Sequence, residues 1–223
     1  METEFIAKIL SIEPVTHNVL RFTIEKPEHY QFIPGQATEI AINKEGFKDQ
    51  RRPFTFTSLN EWDHLEFTIK TYTDHPGVTN ELTKLKSGDS FLLHDVWGAI
   101  QYKGEGTFIA GGAGITPFIA IFRQLHKDGL IGTNKLYFSN KTDQDIILKE
   151  EFEKMLGEQF INIMTEQKNS IYQNDRINKE FLRKNIENFQ QQFYICGPDP
   201  MVAAVQEDLK ALGAGENVIT VEL

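Results

Sequence analysis

The sequence predicts a two-domain molecule: an N-terminal antiparallel six-stranded β-barrel over residues 1–103, followed by an α/β domain over 104–223 built on a parallel five-stranded sheet. Three observations point there. The chain has 223 residues, room for two compact cores of roughly 100 residues each. Its first half strings together short runs rich in Ile, Val, Phe and Thr, broken by turn residues. That is the pattern of an antiparallel barrel or sandwich. Near Gly104 the rhythm changes, and short apolar strands alternate with helical stretches. Such alternation implies right-handed βαβ units and a parallel sheet covered on both faces.

In chain order, the β runs of the first half fall at 4–12, 17–25, 36–42, 52–58, 64–72 and 89–95. Segment 64–72 alternates most clearly, with Leu65, Phe67 and Ile69 on one face and Glu66, Thr68 and Lys70 on the other. Pro34-Gly35, the stretch from Asn43 to Gly46, and Gly88-Asp89 supply the turns. One helix interrupts the strands: Asn80 to Lys86 carries Leu82 and Leu85 and stops at Gly88. In the second half the strands are 107–110, 135–139, 160–164, 193–196 and 218–222. A helix over 117–128 begins with Pro117. Another over 200–212 begins with Pro200 and ends at Gly213, with Met201, Val205, Leu209 and Leu212 in one stripe.

Composition narrows the function. Lys and Arg number 23 against 32 Asp and Glu, a net charge of −9. The excess is shared: residues 1–104 hold 11 cations and 15 anions, residues 105–223 hold 12 and 17. This balance argues against nucleic acid or an anionic membrane surface as the main partner, because both reward clustered cations. The single cysteine rules out an intrachain disulfide and a cysteine-ligated cluster or zinc site within these residues. It fits a reducing cytosol, so a cytoplasmic protein is expected. The segment METEFIAKIL lacks the apolar core of a secretion signal, and no apolar stretch approaches the ~18–20 residues that span a bilayer. The histidines at 17, 29, 64, 75, 94 and 126 show no metal-ligand spacing, so no metal is expected.

Four motifs carry chemistry. Gly111-Gly112-Ala113-Gly114-Ile115-Thr116-Pro117 follows an apolar strand and opens a helix. Glycines there let the backbone approach a ligand and leave N–H groups at a positive helix end, which suits a phosphate anion. The same residues also make a tight βα turn that holds nothing. Cys196-Gly197-Pro198-Asp199-Pro200-Met201 ends the fourth strand of the second half. With strand order 3-2-1-4-5, strands one and four are neighbours, and Gly112 and Cys196 meet where ligand crevices form. The alternative is a Cys196 that serves as a small buried hydrophobe.

In Arg51-Arg52-Pro53-Phe54-Thr55-Phe56-Thr57-Ser58, alternation sets Arg52, Phe54 and Phe56 on one side and Pro53, Thr55 and Thr57 on the other. A cation, an aromatic plane and a hydroxyl suit a ligand that is planar and phosphorylated; the plain alternative is an edge strand with solvated arginines. His75-Pro76-Gly77-Val78-Thr79-Asn80 leads into the short helix, whose amides either face a ligand or are capped by Thr79 or Asn80.

Together these motifs resemble the ferredoxin–NADP reductase superfamily over essentially the whole chain. Phe32-Ile33-Pro34-Gly35-Gln36 looks like the family's aromatic-x-Pro-Gly-Gln segment, and Arg52-Pro53-Phe54-Thr55 like its Arg-x-Tyr-Ser signature. Gly77-Val78-Thr79-Asn80-Glu81-Leu82 resembles the flavin phosphate loop, and Trp97-Gly98 the end of the barrel. Gly111 to Pro117 and Cys196-Gly197-Pro198 resemble the two nicotinamide-nucleotide motifs. The resemblance implies a flavin-binding domain over 1–103 and an NAD(P)-binding domain over 104–223.

What it further implies is carried by position. Arg52 would pair with flavin phosphate, Phe54 would stack on the isoalloxazine, and Thr55 would hydrogen-bond near N5, the atom that accepts hydride. Pro53, Ile69 and Lys70 complete that wall, and the amides of Gly77, Val78 and Thr79 would hold the flavin phosphates. Gly112, Ala113, Gly114, Ile115 and Thr116 would cradle the pyrophosphate of the pyridine nucleotide. Cys196, backed by Gly197, Pro198 and Met201, would sit beside the nicotinamide C4, and Glu222 near the redox centre. Thr55, Cys196 and Glu222 are the residues expected at the chemistry. Phe54 replaces the usual Tyr and Thr55 the usual Ser, and the chain ends at Glu222-Leu223 without the terminal aromatic of many relatives.

The implied activity is hydride transfer from NADPH to FAD, with NADH and FMN as the alternatives, and one-electron delivery to a separate carrier. NADPH is favoured because Ser139, Lys141 and, further on, Arg176 could meet a 2′-phosphate, and no acid stands at the strand tip for a 2′-hydroxyl. Flavodoxin or ferredoxin is the first acceptor considered, docking through Arg51, Lys70, Lys84 and Lys86 despite the net charge. An oxygenase component or diffusible flavin is the second. A flavin-binding electron-relay subunit without nucleotide turnover is the reading of another class.

Overall fold

The computed structural model describes residues 4–98, 100–167 and 171–221. The apolar alternation of the first half produces six strands: β1 (Phe5–Thr16), β2 (Val19–Glu25), β3 (Ala37–Ile42), β4 (Arg52–Thr55), β5 (His64–Lys70) and β6 (Ser90–Trp97). They form one antiparallel sheet in the order β4-β3-β6-β1-β2-β5. Just past β4, the Thr57 N–H donates to the Glu66 carbonyl at 2.8 Å and draws the two edge strands together. Inward residues of every strand meet in one core around Phe22, Phe56, Phe67 and Phe91. β1 runs beyond the expected 4–12 because its pairing with β2 continues through register shifts to Thr16. The expected helix over 80–86 begins earlier, as α1 (Val78–Glu81), and tightens into a 3₁₀ turn over Leu82–Lys84.

The second half runs β7 (Gly106–Gly111), α2 (Thr116–Lys127), β8 (Lys135–Asn140), α3 (Lys149–Leu156), β9 (Phe160–Met164), β10 (Gln173–Asn174), α4 (Lys179–Asn185), β11 (Gln192–Cys196), α5 (Asp199–Ala211) and β12 (Ile219–Val221). All strands pair in parallel in the order β10-β9-β8-β7-β11-β12. The five expected strands therefore take the 3-2-1-4-5 order, and the sheet gains a sixth, the two-residue β10, at its edge. α2 and α3 cover one face through Phe118, Phe122 and Phe152. α4 and α5 cover the other through Leu182, Val205 and Leu209. The order reverses between β7 and β11, so their carboxyl ends open side by side, where doubly wound sheets hold ligands. No helix among the described residues is long and apolar enough to cross a membrane.

The two halves are packed together. Val19 and Ile100 join the core beneath α2. The second face of β5 is also covered: Glu66 and Thr68 are buried, and the Arg123 guanidinium of α2 lies against Glu66. Burial alone would lower the Arg123 pKa, but Glu151 and Glu66 beside it carry it above its ordinary value.

Candidate functional site

A cleft of about 490 Å³ opens between the barrel and the carboxyl ends of β7 and β11. Pro53, Thr55 and Lys70 form part of its barrel wall. Gly112, Ala113, Gly114, Thr116, Cys196, Gly197 and Pro198 form the opposite wall. A narrower chamber of about 210 Å³ runs on beneath β4 and β5 and adds Phe54, Ile69 and Thr79. It shares Thr55, Lys70, Ala113 and Thr116 with the cleft.

Local sequence explains the geometry of each wall. β4 lasts only four residues, and its alternation sends Phe54 partly into the barrel core while Pro53 and Thr55 face the cleft. Just past Thr55, Thr57 and Ser58 are buried and hydrogen-bonded to Glu66. The Thr57 hydroxyl donates to Glu66 Oε1 at 2.7 Å, and the Ser58 hydroxyl accepts from the Glu66 N–H at 3.0 Å. On the other wall, Gly112 takes a left-handed φ of +52°, and a Cβ added there would meet nothing within 4 Å. The turn therefore presents bare backbone to open space. Gly114 is the converse. A Cβ added there would lie 2.5 Å from the Gly197 nitrogen and closer still to the Cys196 carbonyl. Only glycine lets the two nucleotide-like motifs touch.

The remaining expected residues that the structure describes line neither chamber. Ile115 is fully buried in the core under α2, and Met201 packs its sulfur against Gly111 and Gly197 from behind the cleft. Gly77 and Val78 open α1, with Val78 buried and open space around Gly77. Arg52 is exposed and donates to the Arg51 carbonyl at 2.7 Å. Ser139, next to last in β8, pairs with Gly111 and lies outside both chambers, as do Lys141 and Arg176. Lys141 lies 3.3 Å from Glu166, and the Arg176 N–H donates to the Asp175 carboxylate. Glu222 lies outside the described residues.

Among the lining residues, Tyr72 lay in no motif, and Trp97 and Asp199 stood in motifs without a site role. Tyr72, 46% exposed, and Trp97, 42% exposed, flank the cleft from the ends of β5 and β6, and Asp199 stands at its rim. No short motif marks Tyr72, two residues past β5, so only the fold brings it in. The arrangement sets a hydroxyl, a cation and aromatic rings opposite a bare glycine turn and a thiol. It therefore suits a flat ring system against the barrel and an anionic ligand laid along the turn.

Comparison with known proteins follows the same division. Residues 4–103 match the family model described as an FAD-binding domain, and residues 108–207 match that of an oxidoreductase NAD-binding domain. The chain is 30% identical over 236 residues to NADH-cytochrome b5 reductase 1 of Neosartorya fischeri, covering 95% of this chain and 75% of that one. It is 26% identical over 230 residues to the reductase component of propane 2-monooxygenase from Rhodococcus jostii, with 95% of this chain matched. There the chain spans 61% of the relative's length. The crystal structure of a ferredoxin NADP+ reductase from Neisseria gonorrhoeae with bound FAD and NADP has the same fold, with a TM-score of 0.85, 24% identity and 98% of both chains covered.

Proposed function

Because the chain belongs to the ferredoxin–NADP reductase family of NAD(P)H-dependent flavin oxidoreductases, we propose that it passes hydride from NAD(P)H to bound FAD and delivers electrons singly to a separate acceptor protein. One observation carries the reading: Thr55 and Lys70 on the barrel wall and Gly112 to Gly114 and Cys196 on the other wall line a single cleft. The residues present fit both groups. Gly112 offers a cradle that any side chain would fill, and Phe54 and Ile69 back a chamber continuous with the cleft.

When bound, a flavin accepts two electrons as hydride and can release them one at a time. The chain's own residues bind, orient and exclude water. Phe54 would back the flavin ring, and Thr55 would supply a hydroxyl hydrogen bond to it. Pro53, Ile69 and Lys70 complete the wall, and Arg52 with the amides of Gly77, Val78 and Thr79 neutralises phosphate. The turn from Gly112 to Thr116 would hold the nucleotide's pyrophosphate. Cys196, supported by Gly197, Pro198 and Met201, orients the nicotinamide. Glu222 is assigned a place near the same centre by resemblance alone. No proton need be moved to a substrate, in keeping with a cleft whose Thr55 and Cys196 offer no paired acid and base.

Ser139, Lys141 and Arg176 are assigned to the adenosine end. The carboxylate beside Lys141 offsets its charge, so both NADPH and NADH are accommodated and Glu166 weighs between them. For the acceptor, relatives carry the names cytochrome b5 reductase and monooxygenase reductase component. A one-electron haem protein or oxygenase component is thus proposed beside flavodoxin or ferredoxin. Anaerobic stopped-flow mixing with NAD(P)H tests the reading: the visible flavin absorbance is expected to bleach. A flavin that stays oxidised in excess nucleotide would overturn it and favour an electron-relay subunit without nucleotide turnover.

A further inference from the structure

We propose that Arg123 is the positioning residue that sets the distance across the cleft and with it the rate of hydride transfer, an inference that rests on the reductase reading above. Arg123 lies on α2, the helix that opens at the glycine turn. Seven residues separate it from Thr116, about 10 Å along a helix. Its side chain is only 8% exposed and is gripped from both halves of the molecule. Nη1 donates to the Thr57 carbonyl and to Glu66 Oε1, each at 2.6 Å. Nε and Nη2 donate as a fork to Glu151 at 2.5 and 2.9 Å. The Trp62 ring lies 5.3 Å from the guanidinium carbon.

Thr57 stands two residues beyond Thr55, so one guanidinium ties the strand that presents the flavin-facing hydroxyl to the helix that starts at the nucleotide turn. Beside the packing of Val19 and Ile100 under α2, two surface grooves flank the fork. A cavity of about 400 Å³ lies beside Arg21 and Leu148, and one of about 260 Å³ beside Leu59 and His126, and both reach Glu151. Lys127, one turn further along α2, also contacts the barrel's Glu61, but it is exposed, so the buried fork is the polar tie that fixes the geometry. A lysine ammonium cannot satisfy all these acceptors in one plane. A displacement of ~1 Å in donor–acceptor geometry can cost on the order of 100-fold in rate.

The test compares wild type with Arg123→Gln, Arg123→Lys and Glu151→Gln, all as flavin-loaded protein. For each, bound flavin content, affinity for oxidised nucleotide and the single-turnover bleaching rate with protiated and 4-deuterated NAD(P)H are measured. Arg123→Gln is expected to keep its flavin and to change nucleotide affinity by no more than about threefold, while the bleaching rate falls roughly 10- to 100-fold with the isotope effect fully expressed. Arg123→Lys should fall between it and wild type, and Glu151→Gln should slow less. A bleaching rate within about twofold of wild type in Arg123→Gln overturns the proposal. If Arg123→Gln does not hold flavin, Glu151→Gln decides: a slower hydride step at full flavin content supports it, and an unchanged one overturns it. A wild type that does not bleach at all sinks the reductase reading as well, whereas a wild type that bleaches no faster than its variants sinks the role of Arg123 alone.

Discussion

Gly112 and Gly114 belong to one turn but are glycines for different reasons, and substitution should separate them. At Gly112 an alanine meets open space and bears only the left-handed φ of +52°, a cost of about 1–2 kcal/mol. At Gly114 the methyl would collide with the backbone of Cys196 and Gly197. That backbone is the end of β11, so relief requires the turn and β11 to part. Gly114→Ala is expected to cost a further ~1–3 kcal/mol, lowering Tm by several degrees more than Gly112→Ala, with nucleotide affinity lost in parallel. Equal melting curves for the two variants would show that the turn is looser than its contacts imply.

The Lys141–Glu166 pair gives a second test at this scale. Both side chains are largely exposed, so Glu166→Gln should raise kcat/KM for NADPH relative to NADH by no more than about fivefold. A ratio that does not move removes Lys141 from the nucleotide subsite. Gly112 and Gly114 could be read from the sequence because they lie in a motif that a βα turn explains locally. Tyr72 could not, because it reaches the cleft only when the edge strands β4 and β5 come together.

At the scale of elements, strongly periodic segments were readable and weak ones were not. α2 and α5 carry Pro in their first turn and were placed to within a residue. α3 escaped because its eight residues, KEEFEKML, are mostly charged and its start at Leu148 sits in the left-handed region without a capping side chain. α4 spans seven residues, of which Phe181 and Leu182 are buried, too few to show a period.

The segment between β2 and β3 yields a pH prediction. Burial pushes the Tyr30 phenol from 10.0 up to about 12; a hydrogen bond with Thr38 pulls it back and Asp95 pushes it further up. Its hydroxyl donates to the His94 carbonyl at 2.7 Å, pinning the segment to β6. The folded protein holds this proton more tightly than the unfolded chain. The contribution is therefore complete below pH 10.0 and is lost as pH rises from 10.0 through about 12. It amounts to roughly 2–3 kcal/mol. Tyr30→Phe should lose about 1 kcal/mol near neutral pH, yet its urea midpoint should fall less steeply than wild type above pH 10.0. Tyr137 and Tyr194 are raised by burial too, so a residual slope remains. Parallel profiles for the two proteins would mean that folding does not raise the Tyr30 pKa.

For the whole molecule, what matters most is the field that an acceptor meets. The net charge of −9 is spread over both halves, and the cations expected to form a docking patch are partly matched. Arg51 lies 3.7 Å from Glu39, and Lys84 lies 2.8 Å from Glu81, which Lys44 also contacts. Lys70 differs in place, because it lines the cleft itself. Neutralised cations attract weakly at short range and not at all beyond a Debye length, about 10 Å at 0.1 M salt. An acidic one-electron carrier should therefore approach against a repulsive field, and its second-order rate of reduction should rise as NaCl increases from roughly 10 to 150 mM. A carrier with a basic docking face should show the opposite slope. Measured with one acceptor of each sign, the two slopes separate steering by the whole charge from steering by a local patch. If salt slows reduction of the acidic carrier, docking is governed by cations near the cleft mouth, with Lys70 the first to substitute.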